Sequence, residues 1–166
     1  PNTQKTFYEP LGKLYEVIKT NHKSSLLGQY FTPTNIVEMM TLMMNIGEGR
    51  GQITTILDPA CGSGRMLLAY AKLSPDNYFF GADNSQVCAK MATLNFFLNG
   101  LRGEVSCMNS LSNEWFGGWS ININGLGIVP ITEEQSQIHL KMQNIIQHQM
   151  EEDAQEPDTP NQLVLF

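Results

Sequence analysis

Two aspartates of this chain, with two glycines between them in the sequence, are spaced in a way that suits the binding of a small ligand. Asp58 ends an apolar run, and Gly62 and Gly64 follow it in the segment Asp-Pro-Ala-Cys-Gly-Ser-Gly. Glycine lets a backbone approach a ligand closely, and a carboxylate at a strand end accepts hydrogen bonds from cationic or hydroxylated groups. Asp83 ends a second apolar run 25 residues later, where a βαβ unit has its acidic contact to ribose. The pattern predicts a nucleotide pocket.

The residues after the glycines restrict the ligand. Position 67 is Leu, so the third glycine of the dinucleotide fingerprint is missing, and no Lys-Ser/Thr pair follows to hold a triphosphate. The pocket is therefore not expected to take NAD or ATP. A simpler interpretation is a tight turn at Gly62 to Gly64 with Asp83 as a helix cap. The spacing of Asp58 and Asp83 around a helix favours the pocket.

The hydrophobic periodicity predicts an α/β chain around these residues. Strands are expected at 53–57, 78–82, 104–108 and 126–130. Helices are expected at 10–20, 35–45, 65–73, 86–98 and 132–150. Asn35 and Glu38 form a capping pattern for the second helix. The fourth helix is expected to bury its residues at helical spacing, namely Val87, Met91, Leu94 and Leu98.

Four segments together resemble the N6-adenine DNA methyltransferases related to the modification subunits of type I restriction systems. They are Gly28-Gln-Tyr-Phe-Thr-Pro33, Asp58-Pro-Ala-Cys-Gly-Ser-Gly64, Gly81-Ala-Asp83 and Met108-Asn-Ser-Leu111. The resemblance covers roughly residues 25 to 115. It implies a Rossmann-like class I methyltransferase fold, here with a truncated parallel sheet, flanking helices and an N-terminal helical segment. It also implies S-adenosylmethionine as the cofactor.

The resemblance further implies which residues contact that cofactor. The segment that closes over the methionine end is Tyr30, Phe31, Thr32 and Pro33. The glycine loop is Asp58, Pro59, Ala60, Cys61, Gly62, Ser63 and Gly64. The ribose is expected at Asp83 and Asn84, and the adenine beside Asn109.

The adenine-specific family holds the flipped base with an Asn/Asp-Pro-Pro-Tyr/Phe motif, but these 166 residues contain no Pro-Pro pair. Asn122 and Asn124 lie at the nearest equivalent place, and a turn between short strands is favoured over an active site there. No catalytic residue is therefore assigned. Three interpretations stay open: an active methyltransferase, a split enzyme whose second subunit supplies the motif, and a non-catalytic regulatory or antirestriction module of a mobile element.

The composition predicts one globular domain at 1–150, with a helical part at 1–50 and an α/β core at 51–150. The formal net charge is −6, but eleven of the sixteen acidic residues and all ten Lys and Arg lie in 1–150, which is nearly neutral. A duplex-binding module normally has a basic face. Binding to DNA is therefore expected to be weak for the chain alone.

Residues 151–166 have the composition of a flexible acidic tail. The tail ends in an apolar pentapeptide, Gln162-Leu163-Val164-Leu165-Phe166. This pentapeptide resembles the one by which bacterial polymerases and repair proteins dock on the sliding clamp, which implies partner contacts from Gln162, Leu163, Leu165 and Phe166. The alternative is that the tail folds back as an edge strand.

Cysteine and histidine give no sign of a disulfide framework or a metal site. Cys61, Cys88 and Cys107 are odd in number and lie in apolar elements, so reduced thiols are expected. The histidines, at 22, 139 and 148, are too scattered for a metal site. No apolar run approaches the length of a bilayer crossing. We therefore expect a cytoplasmic protein with no membrane partner.

Overall fold

A mixed five-stranded sheet forms the centre of the chain, with strand order β1-β2-β3-β4-β5. The computed structural model describes residues 7–21, 32–44 and 53–155. The strands are β1 (Thr55–Asp58), β2 (Tyr78–Asp83), β3 (Arg102–Asn109), β4 (Glu114–Ile121) and β5 (Ile128–Ile131). The first three are parallel, and β4 and β5 continue the sheet antiparallel. The α/β, Rossmann-like class is confirmed, but the sheet is parallel only in its first three strands.

Strand β4 was not expected from the sequence. It contains Gly117 and Gly118, which favour turns in a sequence pattern. Glycine is favoured at position 118 because an added Cβ would lie 2.9 Å from Ser106 Oγ on β3. The turn after β4 contains Asn122 and Asn124, both with a φ of 53°. The prediction of a turn at these asparagines is therefore confirmed.

In the described part of the chain five α-helices accompany the sheet: α1 (Pro10–Asn21), α2 (Thr34–Met44), α3 (Arg65–Ala71), α4 (Gln86–Asn99) and α5 (Gln137–Gln155). Helix α2 begins before Asn35, so Asn35 is not its cap; the Pro33 carbonyl accepts hydrogen bonds from the N–H groups of Ile36 and Val37 instead. The last helix was expected to begin at Thr132, but α5 begins at Gln137. Thr132 instead forms a capping box with Gln135 on a short 3-10 helix that precedes α5. None of these helices is both long and apolar enough to cross a membrane.

The sheet buries side chains on both faces because successive residues of a strand point to opposite sides. One face packs against α3 and α4 through a core that includes Leu67, Tyr70, Phe79, Phe96 and Val105. The other face carries a smaller cluster with α5: Phe80, Ala82, Met108 and Ile138. The glycine loop connects β1 of this sheet to α3 of the helical layer.

The prediction that four residues of α4 are buried was wrong for three of them. Met91 is buried, but Val87 is 49% exposed, Leu94 45% and Leu98 66%. The buried face is instead made of small and polar residues together with Met91 and Phe96, namely Cys88, Ala89, Ala92, Thr93 and Asn95. Alanines let the helix approach the sheet closely. The Nδ2 group of Asn95 donates to the Ser63 carbonyl at 2.9 Å, whereas its buried Oδ1 has no hydrogen-bond partner among the described residues.

Candidate functional site

The glycine loop begins at Asp58, the last residue of β1, and leads through residues 59–64 to α3, and its two glycines have a backbone conformation that glycine favours. Gly62 has a φ of 56° and Gly64 a φ of 83°, both left-handed. At Gly64 an added Cβ would also lie 3.0 Å from the Phe96 ring. The N–H of Cys61 donates to the Ala82 carbonyl at 2.8 Å, so the loop is fixed against the end of β2.

Asp83 connects this loop to the end of β2. Its Oδ2 accepts from the N–H of Gly62 at 2.9 Å, and its Oδ1 accepts from the N–H of Ser85 at 2.8 Å. The cap of α4 is Ser85, whose Oγ accepts from the N–H of Cys88. Asp83 is therefore not the cap. It is half-buried at the carboxyl end of the strand, and its hydrogen bonds within the described part of the chain leave each oxygen a second lone pair for a ligand.

Asp58 faces the same edge of the sheet. Burial raises the pKa of its carboxyl, a hydrogen bond from the N–H of Ala60 opposes this, and the charge of Asp83 raises the pKa further. The bond to Ala60 is 3.0 Å long. Because the charge of Asp83 disfavours the ionisation of Asp58, the site favours a ligand that brings positive charge or hydroxyl donors between the two side chains.

The cysteines near the loop are not activated. Burial, and then the charges of Asp58 and Asp83, raise the pKa of the Cys61 thiol well above its usual range. Burial raises the pKa of Cys107 as well, with Asp83 adding to the effect and Lys90 opposing it. A thiol with a raised pKa stays protonated at neutral pH and is a poor nucleophile. The site therefore offers acceptors rather than a covalent catalyst.

The end of β3 forms a third part of the site. Asn109 Oδ1 accepts from the N–H groups of Leu111 at 3.0 Å and Ser112 at 3.4 Å, which orders the turn after the strand. Ser110 Oγ donates to the Pro59 carbonyl at 2.7 Å. This bond, which the sequence did not suggest, holds the turn after β3 against the glycine loop. Asn109 thus lies at the same edge as Asp58 and Asp83.

The other residues expected to contact a cofactor divide into an outer and an inner set. Pro59, Ala60 and Asn84 are exposed at the edge, and Gly62 is half-buried. Cys61, Ser63 and Gly64 are buried on the inner side of the loop. The Ser63 carbonyl accepts from Asn95 Nδ2 at 2.9 Å. These three buried residues of the loop therefore face the protein interior.

The segment before α2 is described only in part. Thr32 is half-buried and its carbonyl accepts from Arg65 Nη1 at 3.1 Å, while Pro33 is exposed. Tyr30 and Phe31, and the pentapeptide with Gln162, Leu163, Leu165 and Phe166, lie outside the described residues. Sequence reasoning missed Arg65 and its partner Glu9. A charged residue directly after the glycine loop was the one available signal.

Asn122 and Asn124 lie far from this edge. Asn122 Nδ2 donates to the Leu101 carbonyl, just before β3 begins, whereas Asp83 and Asn109 lie at the ends of β2 and β3. The asparagines are therefore at the opposite end of the sheet. Within residues 7–21, 32–44 and 53–155, no group of three His, Cys, Asp or Glu residues could hold a metal ion.

Comparison with known proteins gives a family match along most of the chain. The model of the N-6 DNA Methylase family matches residues 7–154. Two proteins of Methanocaldococcus jannaschii are similar. The type I restriction enzyme MjaVII methylase subunit is 29% identical over 104 residues, 58% of this chain and 17% of that subunit. The MjaVIII methylase subunit is 32% identical over 131 residues, 72% of this chain and 22% of that subunit. The chain spans about a fifth of these relatives. No solved structure matches it.

Proposed function

Because the chain belongs to the N-6 DNA methylase family, we propose that it binds S-adenosylmethionine at the carboxyl ends of β1, β2 and β3 and serves in adenine-N6 methylation of DNA. The main support is Asp83. Its carboxylate holds the N–H of Gly62 at 2.9 Å and keeps free lone pairs at the strand end, where a βαβ unit contacts ribose.

The residues at this edge fit such a ligand. A pair of ribose hydroxyls matches the free lone pairs of Asp83, and the exposed Pro59 and Ala60 lie beside them on the loop. The raised pKa of Asp58 is a reason for the site to prefer a ligand with cationic groups. S-adenosylmethionine has two ribose hydroxyls, an ammonium and a sulfonium, and it supplies an electrophilic methyl group when bound.

The described residues then position reactants and form no covalent intermediate. Orientation alone lowers a barrier substantially when reacting atoms are held in line. The Cys61 thiol, protonated because its pKa is raised, does not compete for the methyl group. What these residues do not offer is a holder for the base, since the 166 residues contain no Asn/Asp-Pro-Pro-Tyr/Phe segment.

A split enzyme is the second candidate, and the position of β1 favours it. A doubly wound sheet binds its ligand between the strand of the glycine loop and a neighbour on the far side. Among the described residues β1 has a strand neighbour on one side only, and Leu57 on it is 37% exposed. A second methyltransferase subunit that adds to this edge would bring the base-holding motif next to the cofactor.

A non-catalytic regulatory or antirestriction module of a mobile element would use the pocket for binding only.

Other partners follow from charge and sequence. With residues 1–150 nearly neutral, we propose that the chain contacts DNA weakly unless a second subunit contributes. Docking on a sliding clamp through the C-terminal pentapeptide and a cytoplasmic location stay predictions from the sequence.

Calorimetric titration of the purified chain with S-adenosylmethionine tests the cofactor proposal. Saturable 1:1 binding that Asp83→Ala weakens and Asp76→Ala preserves is the expected result. Asp76 is a suitable control because it is an exposed aspartate outside the site. An absence of binding to the unmodified chain would refute the proposal.

A further inference from the structure

A part-buried ion pair joins the N-terminal segment to the start of α3. The Nε and Nη2 groups of Arg65 donate to Glu9 Oε2 at 3.2 and 3.1 Å. Its Nη1 donates to the Thr32 carbonyl at 3.1 Å and lies 3.3 Å from Glu16 Oε1. The side chains of Arg65 and Glu9 are only 12% and 10% exposed. One guanidinium therefore connects α1, the residues before α2, and α3.

The second oxygen of Glu9 extends this connection to the glycine loop. Glu9 Oε1 accepts from the N–H of Gly12 at 2.6 Å and from Asn95 Nδ2 at 3.2 Å. Asn95 Nδ2 also donates to the Ser63 carbonyl. At Gly12 an added Cβ would lie 2.6 Å from Ser63 Oγ, so α1 lies directly against the underside of the loop.

Stability alone is a weak reason for this arrangement. Taking both charges out of water costs about as much as their attraction returns, so a buried ion pair contributes little net stability compared with apolar side chains of similar size. What the pair does provide is a defined geometry, because the planar fork of arginine fixes the direction of each acceptor. One acceptor outside the pair with Glu9 is the Thr32 carbonyl, which directly precedes Pro33, the residue whose carbonyl accepts the first hydrogen bonds of α2.

The location of Thr32 indicates which part of a ligand it lies near. Asp83 stands at the ribose position, and in a βαβ unit the glycine loop and the helix that follows it face the group attached to the ribose 5′ carbon. Arg65 is the first residue of that helix, so it holds Thr32 at this end of the site.

We propose that Arg65 is a positioning residue that holds Thr32 and Pro33 against the amino-acid portion of S-adenosylmethionine. Glu9 fixes the guanidinium in the required orientation. Arg65 acts through the Thr32 carbonyl and does not itself contact the ligand. The inference rests on the proposed cofactor function and adds to it a residue that selects one portion of the ligand.

The test compares two ligands that share the base and the ribose. S-adenosylmethionine carries the amino-acid portion on its 5′ sulfonium, whereas adenosine has only a hydroxyl group at the ribose 5′ carbon. The dissociation constants of both ligands are measured, that of adenosine by its competition with S-adenosylmethionine. The proteins compared are the unmodified chain, Arg65→Gln, Arg65→Lys and Glu9→Gln. Lys72→Gln is the matched control, because Lys72 is an exposed cation at the other end of α3.

Arg65→Gln is expected to weaken S-adenosylmethionine by about tenfold or more, the effect of losing one charge-assisted hydrogen bond, and adenosine by less than about twofold. Arg65→Lys and Glu9→Gln should show a smaller loss with the same selectivity. Since Arg65→Gln could fail to fold, a thermal melt is recorded for each variant, and the ratio of the two dissociation constants in the milder variants then decides.

Two results would overturn the inference. Equal weakening of both ligands would mean that the ion pair only fastens α1 to the domain, and unchanged binding of S-adenosylmethionine would mean that Thr32 does not act on the ligand. If the unmodified chain binds neither ligand, the proposed function fails as well. If it binds both and the variants keep its ratio, only the role of Arg65 fails.

Discussion

Glu104, the third residue of β3, and Ser136, directly before α5, are joined by a hydrogen bond of 2.6 Å across the face of the sheet. Glu104 is 4% exposed, yet its carboxylate also accepts from Ser106 Oγ and from the N–H groups that open α5, those of Gln137 and Ile138. A carboxylate at a helix N-terminus satisfies N–H groups that have no partner within the helix. Glu104 therefore attaches α5 to the sheet.

Glu104→Gln should lower the free energy of unfolding by about 1–3 kcal/mol, because an amide cannot accept at both of its heavy atoms. A chemical denaturation series measures this. The control is Glu114→Gln, an exposed glutamate on β4. Equal stabilities of the two variants would contradict the anchoring role.

Asp83→Ala should weaken S-adenosylmethionine by about 1–3 kcal/mol, since it leaves ribose hydroxyls without a charged acceptor in a half-buried site. Calorimetry measures the change, with Asp76→Ala alongside. If the dissociation constant does not move, Asp83 only orders the glycine loop.

Asp58→Asn should stabilise the ligand-free chain at neutral pH. The folded-state pKa of Asp58 is raised, so the folded chain binds more protons there than the unfolded chain, and this residue's contribution to stability falls as pH rises from the ordinary value of 3.8 through the raised pKa. The gain in melting temperature should therefore be larger at pH 7 than at pH 3.5. The same variant should bind S-adenosylmethionine more weakly. A gain that is equal at both pH values would show that the charge is not its cause.

The chain alone should transfer no methyl group to adenine in DNA, because its residues include no motif to hold a flipped base. A tritium-transfer assay on mixed-sequence DNA, with cofactor binding verified on the same preparation, tests this. Labelled N6-methyladenine from the purified chain would contradict it. Labelling only after a second methyltransferase subunit is added would favour the split enzyme over the regulatory module.

A peptide of residues 157–166 should bind a bacterial sliding clamp with micromolar affinity, about −8 kcal/mol. Replacing both Leu165 and Phe166 by Ala should remove most of this binding affinity, because apolar anchors dominate such contacts. Fluorescence anisotropy of the labelled peptide measures both. In the edge-strand alternative the peptide binds nothing, and the double change lowers the melting temperature of the full chain.

The sequence predicted those residues of the site that lie at the ends of strands or in the glycine turn, where short sequence patterns are informative. Asp58, the glycines and Asp83 lie at one edge as expected, because buried parallel strands and left-handed glycines leave distinct local signals. The family resemblance is confirmed by the match over residues 7–154. The contact between Glu9 and Arg65 was not predictable, since it joins residues 56 positions apart through the packing of α1.

The two main errors have physical reasons of the same kind. The outer and inner faces of α4 both carry large apolar residues, so periodicity did not reveal that Asn95 points inward to the Ser63 carbonyl. One of the two adjacent glycines of strand β4, Gly118, lies where β3 approaches closely at Ser106, a condition that exists only after the sheet has formed.

The glycine loop is held from several sides by groups that do not belong to it. Ala82, Asp83, Asn95 and Ser110 each make a hydrogen bond to its backbone. Fixing a loop residue in one conformation costs about 1–2 kcal/mol of conformational entropy, and here folding has already met that cost. A ligand therefore meets a loop that is ordered before it arrives, so little of its binding energy is spent on ordering the backbone.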